Sequence, residues 1–229
     1  MAGAERAGAV VLVSGGMDSC VAAAMAARDG AAFFLHAGYG QRTERKERAC
    51  FEALADHYKA ARRLVVRLDH LGAMGGSALT DAAVAVPGAD LSRRGVPVTY
   101  VPFRNAQLLA AAVAWAETLD ASRVVIGAVE EDSSGYPDCR RVFYEAFQRV
   151  IDTGTRAGAA LRLETPLIGL RKSAIVARGA DLGAPFHLTW SCYRAEDAAC
   201  GACDSCALRL RAFGEAGLRD PLPYRPVGA

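Results

Sequence analysis

Val10-Val-Leu-Val-Ser-Gly-Gly-Met-Asp-Ser19 is the stretch whose reading decides the fold. Val10 to Val13 is an apolar run without polar alternation, which suits a short strand buried on both faces, as in a parallel sheet. Ser19 to Arg28 continues as an Ala-rich helix, and Gly30 suits the left-handed turn that closes it. The intervening loop, Ser14 to Ser19, therefore stands where free backbone amides and the helix dipole attract an anion. Gly15 and Gly16 let the backbone approach a phosphate without Cβ atoms, and the Ser14 and Ser19 hydroxyls can donate to its oxygens. Asp18 would repel phosphate unless a cation intervened, which assigns it to Mg²⁺. No Gly-x-x-x-x-Gly-Lys-Ser/Thr sequence occurs, and this disfavours a Walker-type kinase or GTPase.

Working outward, strand and helix patterns keep alternating. Strands are expected at Ala31 to His36, Leu64 to Leu68, Arg123 to Ile126 and Leu161 to Glu164. Helices are expected at Glu44 to Tyr58, from an Asn105 cap to Leu119, at Cys139 to Arg156, at Lys172 to Leu182 and at Leu208 to Glu215. The pattern predicts an α/β sandwich on a parallel sheet. Asp69 to Thr99 dissolves into Gly, Ala, Ser and Pro and is too long for an ordinary connection, so residues 69–100 are a candidate lid or substrate loop.

The chain of 229 residues can bury a core without disulfides, and its formal charge of +2 supplies no polyanion-binding field. Its longest apolar stretches, such as Ala106 to Ala116, fall short of the roughly 20 residues that span a bilayer. Met1 to Gly8 lacks the features of a secretion signal, so a cytoplasmic protein is expected, with neither membrane nor nucleic acid as partner.

Of the seven cysteines, Cys192, Cys200, Cys203 and Cys206 crowd into one segment. Four thiolates can close a tetrahedron around Zn²⁺, with Gly201 allowing the tight turn between ligands. Such a closed site is structural, and an Fe–S cluster is the rival occupant. These observations divide the chain into a nucleotide-binding domain, 1–186, and a zinc-binding C-terminal segment packed on it, 187–229.

Ser-Gly-Gly-x-Asp-Ser after the first strand resembles the PP-loop of the ATP pyrophosphatases, which release pyrophosphate and leave an adenylated substrate. The resemblance implies a Rossmann-like three-layer sandwich of the adenine nucleotide alpha hydrolase type, with ATP held by Val13, Ser14, Gly15, Gly16, Met17, Asp18, Ser19 and Lys172. Further blocks are similar to one family over nearly the whole chain: Tyr39-Gly-Gln-Arg42, Ser77-Ala-Leu-Thr-Asp81, Val101-Pro-Phe-Arg-Asn105, Ser134-Gly-Tyr-Pro-Asp-Cys-Arg140, Thr165-Pro-Leu167, Trp190-Ser-Cys-Tyr193 and Cys200-Gly-Ala-Cys-Asp-Ser-Cys206. That family is the 7-cyano-7-deazaguanine synthases of the queuosine and deazapurine pathways. The resemblance implies a ligase that adenylates 7-carboxy-7-deazaguanine with ATP, adds ammonia to form the amide, then adenylates again and dehydrates to the nitrile. A homodimer is implied as well.

A negative acid must approach a negative nucleotide in such a reaction, which places Arg42, Arg104 and Lys172 near phosphate or the substrate carboxylate. Asp18, Arg104 and Lys172 are the expected catalytic groups. Asp138 would accept hydrogen bonds from a guanine-like edge on which Tyr136 stacks, with Arg42 and Arg104 also binding substrate. Cys139 is read as packing, no histidine is assigned to metal, and Arg42 to Arg48 is read as a solvated helix face. Three positions depart from the family pattern: Thr43 where His is usual, Val129 where Asn is common, and Ser133 where an aromatic usually stands. They leave open a relative that stops at the amide or takes another deazapurine acid. More distant rivals are a tRNA-thiolating enzyme and a zinc knuckle that binds nucleic acid.

Overall fold

A computed structural model describes residues 8–130 and 135–226, so Ser133 and Ser134 lie outside the described residues. Five strands form one sheet: β1 Ala9–Leu12, β2 Ala32–Gly38, β3 Arg62–Arg67, β4 Arg123–Ile126 and β5 Arg162–Glu164. All pairings are parallel, in the order β3-β2-β1-β4-β5. Parallel strands need crossovers that cover both faces, which is why β1 is buried along its whole length. The period of two sends Ala9, Val11 and Val13 to one core with Met17, Phe51 and Ile175. Val10 and Leu12 enter the other core with Leu109, Val113 and Tyr144.

The first layer holds α1 Met17–Arg28, α2 Glu44–His57, α6 Lys172–Asp181 and α7 Asp204–Glu215; the second holds α4 Arg104–Thr118 and α5 Arg141–Gly154. Alanines make α1 narrow enough to lie against the sheet with almost no exposed side. Gly127, just after β4, sustains that approach: a Cβ there would lie 2.8 Å from the Asp18 carbonyl oxygen.

Several boundaries differ from the expected ones for identifiable reasons. β3 begins at Arg62 because it is an edge strand whose arginines reach solvent while the backbone still pairs with β2. Pro137–Cys139 forms a 3₁₀ turn, so α5 starts only at Arg141. Asn105 is not a cap: it lies inside α4, whose N-cap is Phe103 in the left-handed region at φ +54°. α7 begins within the cysteine run, with Cys203 as its N-cap, and its Ala212 and Phe213 enter the same core as α1.

The long segment 69–100 contains one short helix, α3 Asp69–Ala73, which the apolar pattern does not reveal. Its remainder is fastened to the cysteine segment. Ala89 N–H donates to Ala202 O at 2.9 Å, Arg194 donates to Val86 O at 2.8 Å, and Arg93 pairs with Asp204 at 2.8 Å. Among the described residues, no helix is long and apolar enough to cross a membrane.

Candidate active site

In an open parallel sheet the ligand crevice lies beyond the carboxyl ends of the strands, at the point where strand order reverses. Here that point is the gap between β1 and β4, and one cavity opens there, bordered by Ser14, Gly16 to Ser19, Tyr39, Arg104, Gly127, Tyr136 and Lys172.

The phosphate loop is held from within and from behind. Ser19 Oγ donates to Gly16 O at 2.9 Å, and Gly16 N–H donates to Ser14 Oγ at 3.2 Å. No side chain caps α1, whose first turn therefore keeps its positive end for a ligand. Gly15 sits at φ +87°, and a Cβ there would come 2.5 Å from Glu47 O. Its glycine character is thus required by the turn and by α2 packed behind the loop, in addition to any approach of phosphate. Gly15 O in turn accepts from Trp190 N–H at 2.8 Å, which joins the cysteine segment to the loop.

Asp18 and Lys172, 154 residues apart in sequence, form an ion pair of 2.6 Å at the mouth of the loop. The other Asp18 oxygen, Oδ1, is buried without a partner. An orphaned carboxylate oxygen beside a phosphate cradle fits a divalent cation.

Arg104 begins α4 and projects over the Tyr39 ring, its guanidinium carbon 5.6 Å from the centroid, while Nη1 donates to Tyr39 Oη at 3.1 Å. Its Nε is buried and unsatisfied, and no carboxylate pairs with it among the described residues. A cation in that condition inside a cavity fits an anionic ligand. Tyr136 also faces the cavity, its hydroxyl 2.7 Å from Thr99 Oγ1 and its ring 5.6 Å from that of Tyr100.

Two expected ligand contacts point elsewhere. Asp138 is 3% exposed and does not border the cavity; its Oδ2 accepts from Asn105 N–H at 2.9 Å and so caps α4. An open helix terminus takes up a nearby carboxylate, and one oxygen of Asp138 is engaged there. Arg42 borders the cavity, but Nε donates to Ala78 O at 2.7 Å and Nη2 to Asp81 O and Val84 O, both at 2.8 Å. Carbonyls of the long loop occupy Nε and Nη2, and Arg42 straps that loop to the end of β2. Cys139 packs as expected, its thiol near Asn105 Nδ2 and pushed up to about 11 by burial.

The cysteine prediction meets a compact cluster. The Sγ atoms of Cys192, Cys200, Cys203 and Cys206 all lie within 4.8 Å of one another. Gly201, at φ +68°, makes the turn between the second and third. Amides of Arg194 and Cys200 point at Cys192 Sγ at 3.3 and 3.4 Å, and that of Ala202 at Cys200 Sγ at 3.4 Å. Hydrogen bonds from Cys203 and Cys206 hold the Cys192 thiol far below its usual range, while Cys203 is pushed up to about 11. Thiols this crowded cannot all ionise without a cation among them, so the donor set fits a metal.

With this geometry in hand, comparison with known proteins adds the family. The profile of "Queuosine biosynthesis protein QueC" matches residues 8–217. The chain belongs to the QueC family. It is 57% identical over 217 residues to the 7-cyano-7-deazaguanine synthase of Chlorobium luteolum, covering 94% of this chain and 96% of that relative. The synthase of Acidobacterium capsulatum is 56% identical over 224 residues, covering 96% of this chain and 97% of its own. Among solved structures, NMN synthetase from Francisella tularensis aligns with a TM-score of 0.49 at 15% identity, over 93% of this chain and 79% of that one.

Two features of this QueC-family site escaped the sequence reading. Glu47 turns from the charged run into the cavity, where Gln41 Nε2 and Thr43 Oγ1 donate to its two oxygens at 3.0 and 2.7 Å. The signal was present: residues 47, 51 and 54 share a helical face, and Phe51 and Leu54 are fully buried. Thr43 is itself 3% exposed, and its hydroxyl orients Glu47. Arg209, 1% exposed, pairs with Asp220 through two bonds of 2.8 and 3.0 Å and donates to Thr189 Oγ1 at 2.7 Å. Nothing in its surroundings in sequence distinguishes it from Arg211, the other arginine of α7.

Proposed function

We propose that the protein is an ATP-dependent carbon–nitrogen ligase that converts 7-carboxy-7-deazaguanine and ammonia to 7-cyano-7-deazaguanine. Membership of the QueC family, with relatives named 7-cyano-7-deazaguanine synthase at more than half identity, supports the substrate class. The observation that carries the chemistry is one cavity with two anion receptors: an uncapped helix terminus at the phosphate loop and an Arg104 without a carboxylate partner among the described residues. A triphosphate and a carboxylate repel each other, and such a cavity offsets that repulsion while holding them together.

In this reading the first-turn amides of α1, the Ser14 and Ser19 hydroxyls and Lys172 receive the phosphates. Arg104 receives the substrate carboxylate, and Tyr136 packs on the heterocycle. A carboxylate oxygen attacks the α-phosphorus, pyrophosphate departs, and the carbonyl carbon gains AMP as its leaving group. Ammonia displaces AMP to give the amide. The amide oxygen then repeats the attack on a second ATP, and loss of AMP with the N–H protons leaves the nitrile.

Asp18 would hold Mg²⁺, which supplies neutralisation of phosphate charge. Cys192, Cys200, Cys203 and Cys206 would hold Zn²⁺, whose closed thiolate shell supplies folding energy. We assign residues 1–186 to the nucleotide-binding domain and 187–229 to the metal-binding segment, and expect a cytoplasmic homodimer. Exposed Phe103, Val142 and Val150 support an association surface.

Mass spectrometry of products from ATP, Mg²⁺, ammonium and the acid tests this function. Nitrile with two AMP per product is the expected result. Amide with one AMP would place the chain among enzymes that stop halfway, and ADP with orthophosphate, or an inert acid, would overturn the proposal.

A further inference from the structure

The amide-forming step requires ammonia, yet at neutral pH dissolved ammonia is mostly ammonium, which has no lone pair to attack with. A group inside the cavity that takes a proton from ammonium would make the abundant form reactive. Glu47 is placed for this. It lies on the α2 turn packed against the phosphate loop, where its own carbonyl approaches Gly15, and its side chain borders the cavity that Arg104 also enters.

Its two oxygens are oriented by Gln41 and Thr43, and each keeps a second acceptor position. Burial raises its carboxyl above the usual carboxylate range, against the opposing pull of the Gln41 and Thr43 hydrogen bonds and the charge of Arg104. The groups facing it are Arg104 of α4, Tyr39 of the turn after β2, and Glu44 and Cys50 of its own helix. Among the described residues, Gln41 and Thr43 alone hydrogen-bond this carboxylate, and Glu47 borders the cavity.

We propose that Glu47 is the catalytic base that binds ammonium and deprotonates it for attack on the acyl adenylate. The proposal rests on the reaction given under Proposed function. One N–H bond of ammonium breaks and its proton forms an O–H bond on Glu47, leaving neutral ammonia. The ammonia lone pair forms the C–N bond at the acyl carbon, and the C–O bond to AMP breaks with its electron pair going to AMP. The surplus proton on nitrogen passes to the departing phosphate, and Glu47 returns its proton to water.

Hydroxylamine separates this role from others, because it is already unprotonated at neutral pH and needs no base before attack. Glu47→Gln is expected to lower kcat/KM for ammonium about 100-fold. The deficit should shrink by about tenfold per pH unit as free ammonia rises. Hydroxamate formation from the acid, ATP and hydroxylamine should persist in this variant, as should acid-dependent exchange of pyrophosphate into ATP, which also reports that the variant is folded. Glu47→Asp, which keeps a base, should recover part of the ammonium rate.

Equal losses with both nucleophiles, a raised KM for the acid with both, or unchanged ammonium kinetics would overturn the proposal; the second outcome would make Glu47 a reader of the heterocycle. If the unmodified protein itself fails to exchange pyrophosphate in the presence of the acid, the proposed function fails, and this role falls with it.

Discussion

The two ends of the cavity are built on different principles. At the end proposed for the nucleotide, Ser14 to Ser19 form one continuous stretch whose backbone amides, two glycines and hydroxyls would be the receptor. At the end proposed for the acid, Arg104 and Tyr136 come from separate parts of the chain and would act through side chains. A backbone receptor follows from local conformation, whereas a side-chain receptor depends on how whole helices pack. The first fails when the turn fails; in the second, each side chain is set by its own neighbours, as Glu47 is by Thr43.

Removing the metal probes how far the nucleotide end stands alone, and it should have the largest effect. Structural thiolate sites contribute about 10–16 kcal/mol of apparent binding energy in small domains. Because Trp190 N–H holds Gly15 O, stripping the cysteine site with a chelator should abolish nucleotide binding by calorimetry as metal leaves the protein. Retained ATP affinity in metal-free protein would show the loop to be autonomous. Gly15→Ala attacks the same end locally. A Cβ at φ +87° and 2.5 Å from Glu47 O should cost roughly 3 kcal/mol or more in denaturant unfolding, with loss of nucleotide binding.

The acid end should respond more selectively. Arg104→Met is expected to lower kcat/KM for the acid about 100-fold while the dissociation constant for ATP moves little. An equal loss for both ligands would merge the two ends into one site. Asp138→Ala should destabilise the fold by about 1–2 kcal/mol, as loss of a helix cap does, with KM for the acid unchanged. A raised KM would return Asp138 to the heterocycle.

The smallest effect concerns His36, which supports the strand behind the loop through a 3.0 Å contact with Val13 O. Burial depresses its pKa below 6.5, with the Val13 hydrogen bond opposing. Below the unfolded value the unfolded chain binds a proton that the folded protein refuses. Stability is therefore fully present above about pH 6.5 and declines as pH falls toward the folded pKa, by at most about 1.4 kcal/mol per pH unit. Thermal melts of the protein and of His36→Gln across pH 5 to 8 should show that this slope is lost in the variant.

Much of the architecture was legible along the chain, because parallel strands buried on both faces leave uninterrupted apolar runs and the crossovers between them leave helical ones. The Gly-rich turn between β1 and α1 and the four-cysteine cluster were legible for the related reason that each is carried within short, ordered spacings. Side-chain destinations were not. Asp138 and Arg42 satisfy backbone groups brought near by folding, and Glu47 leaves a run of charges for the cavity wall. Asp18 and Lys172 meet across 154 residues. A residue's type limits which bonds it can form; which partners are within reach is settled by the packing of α2, α4 and α6 around the end of β1, and no local pattern encodes that distance.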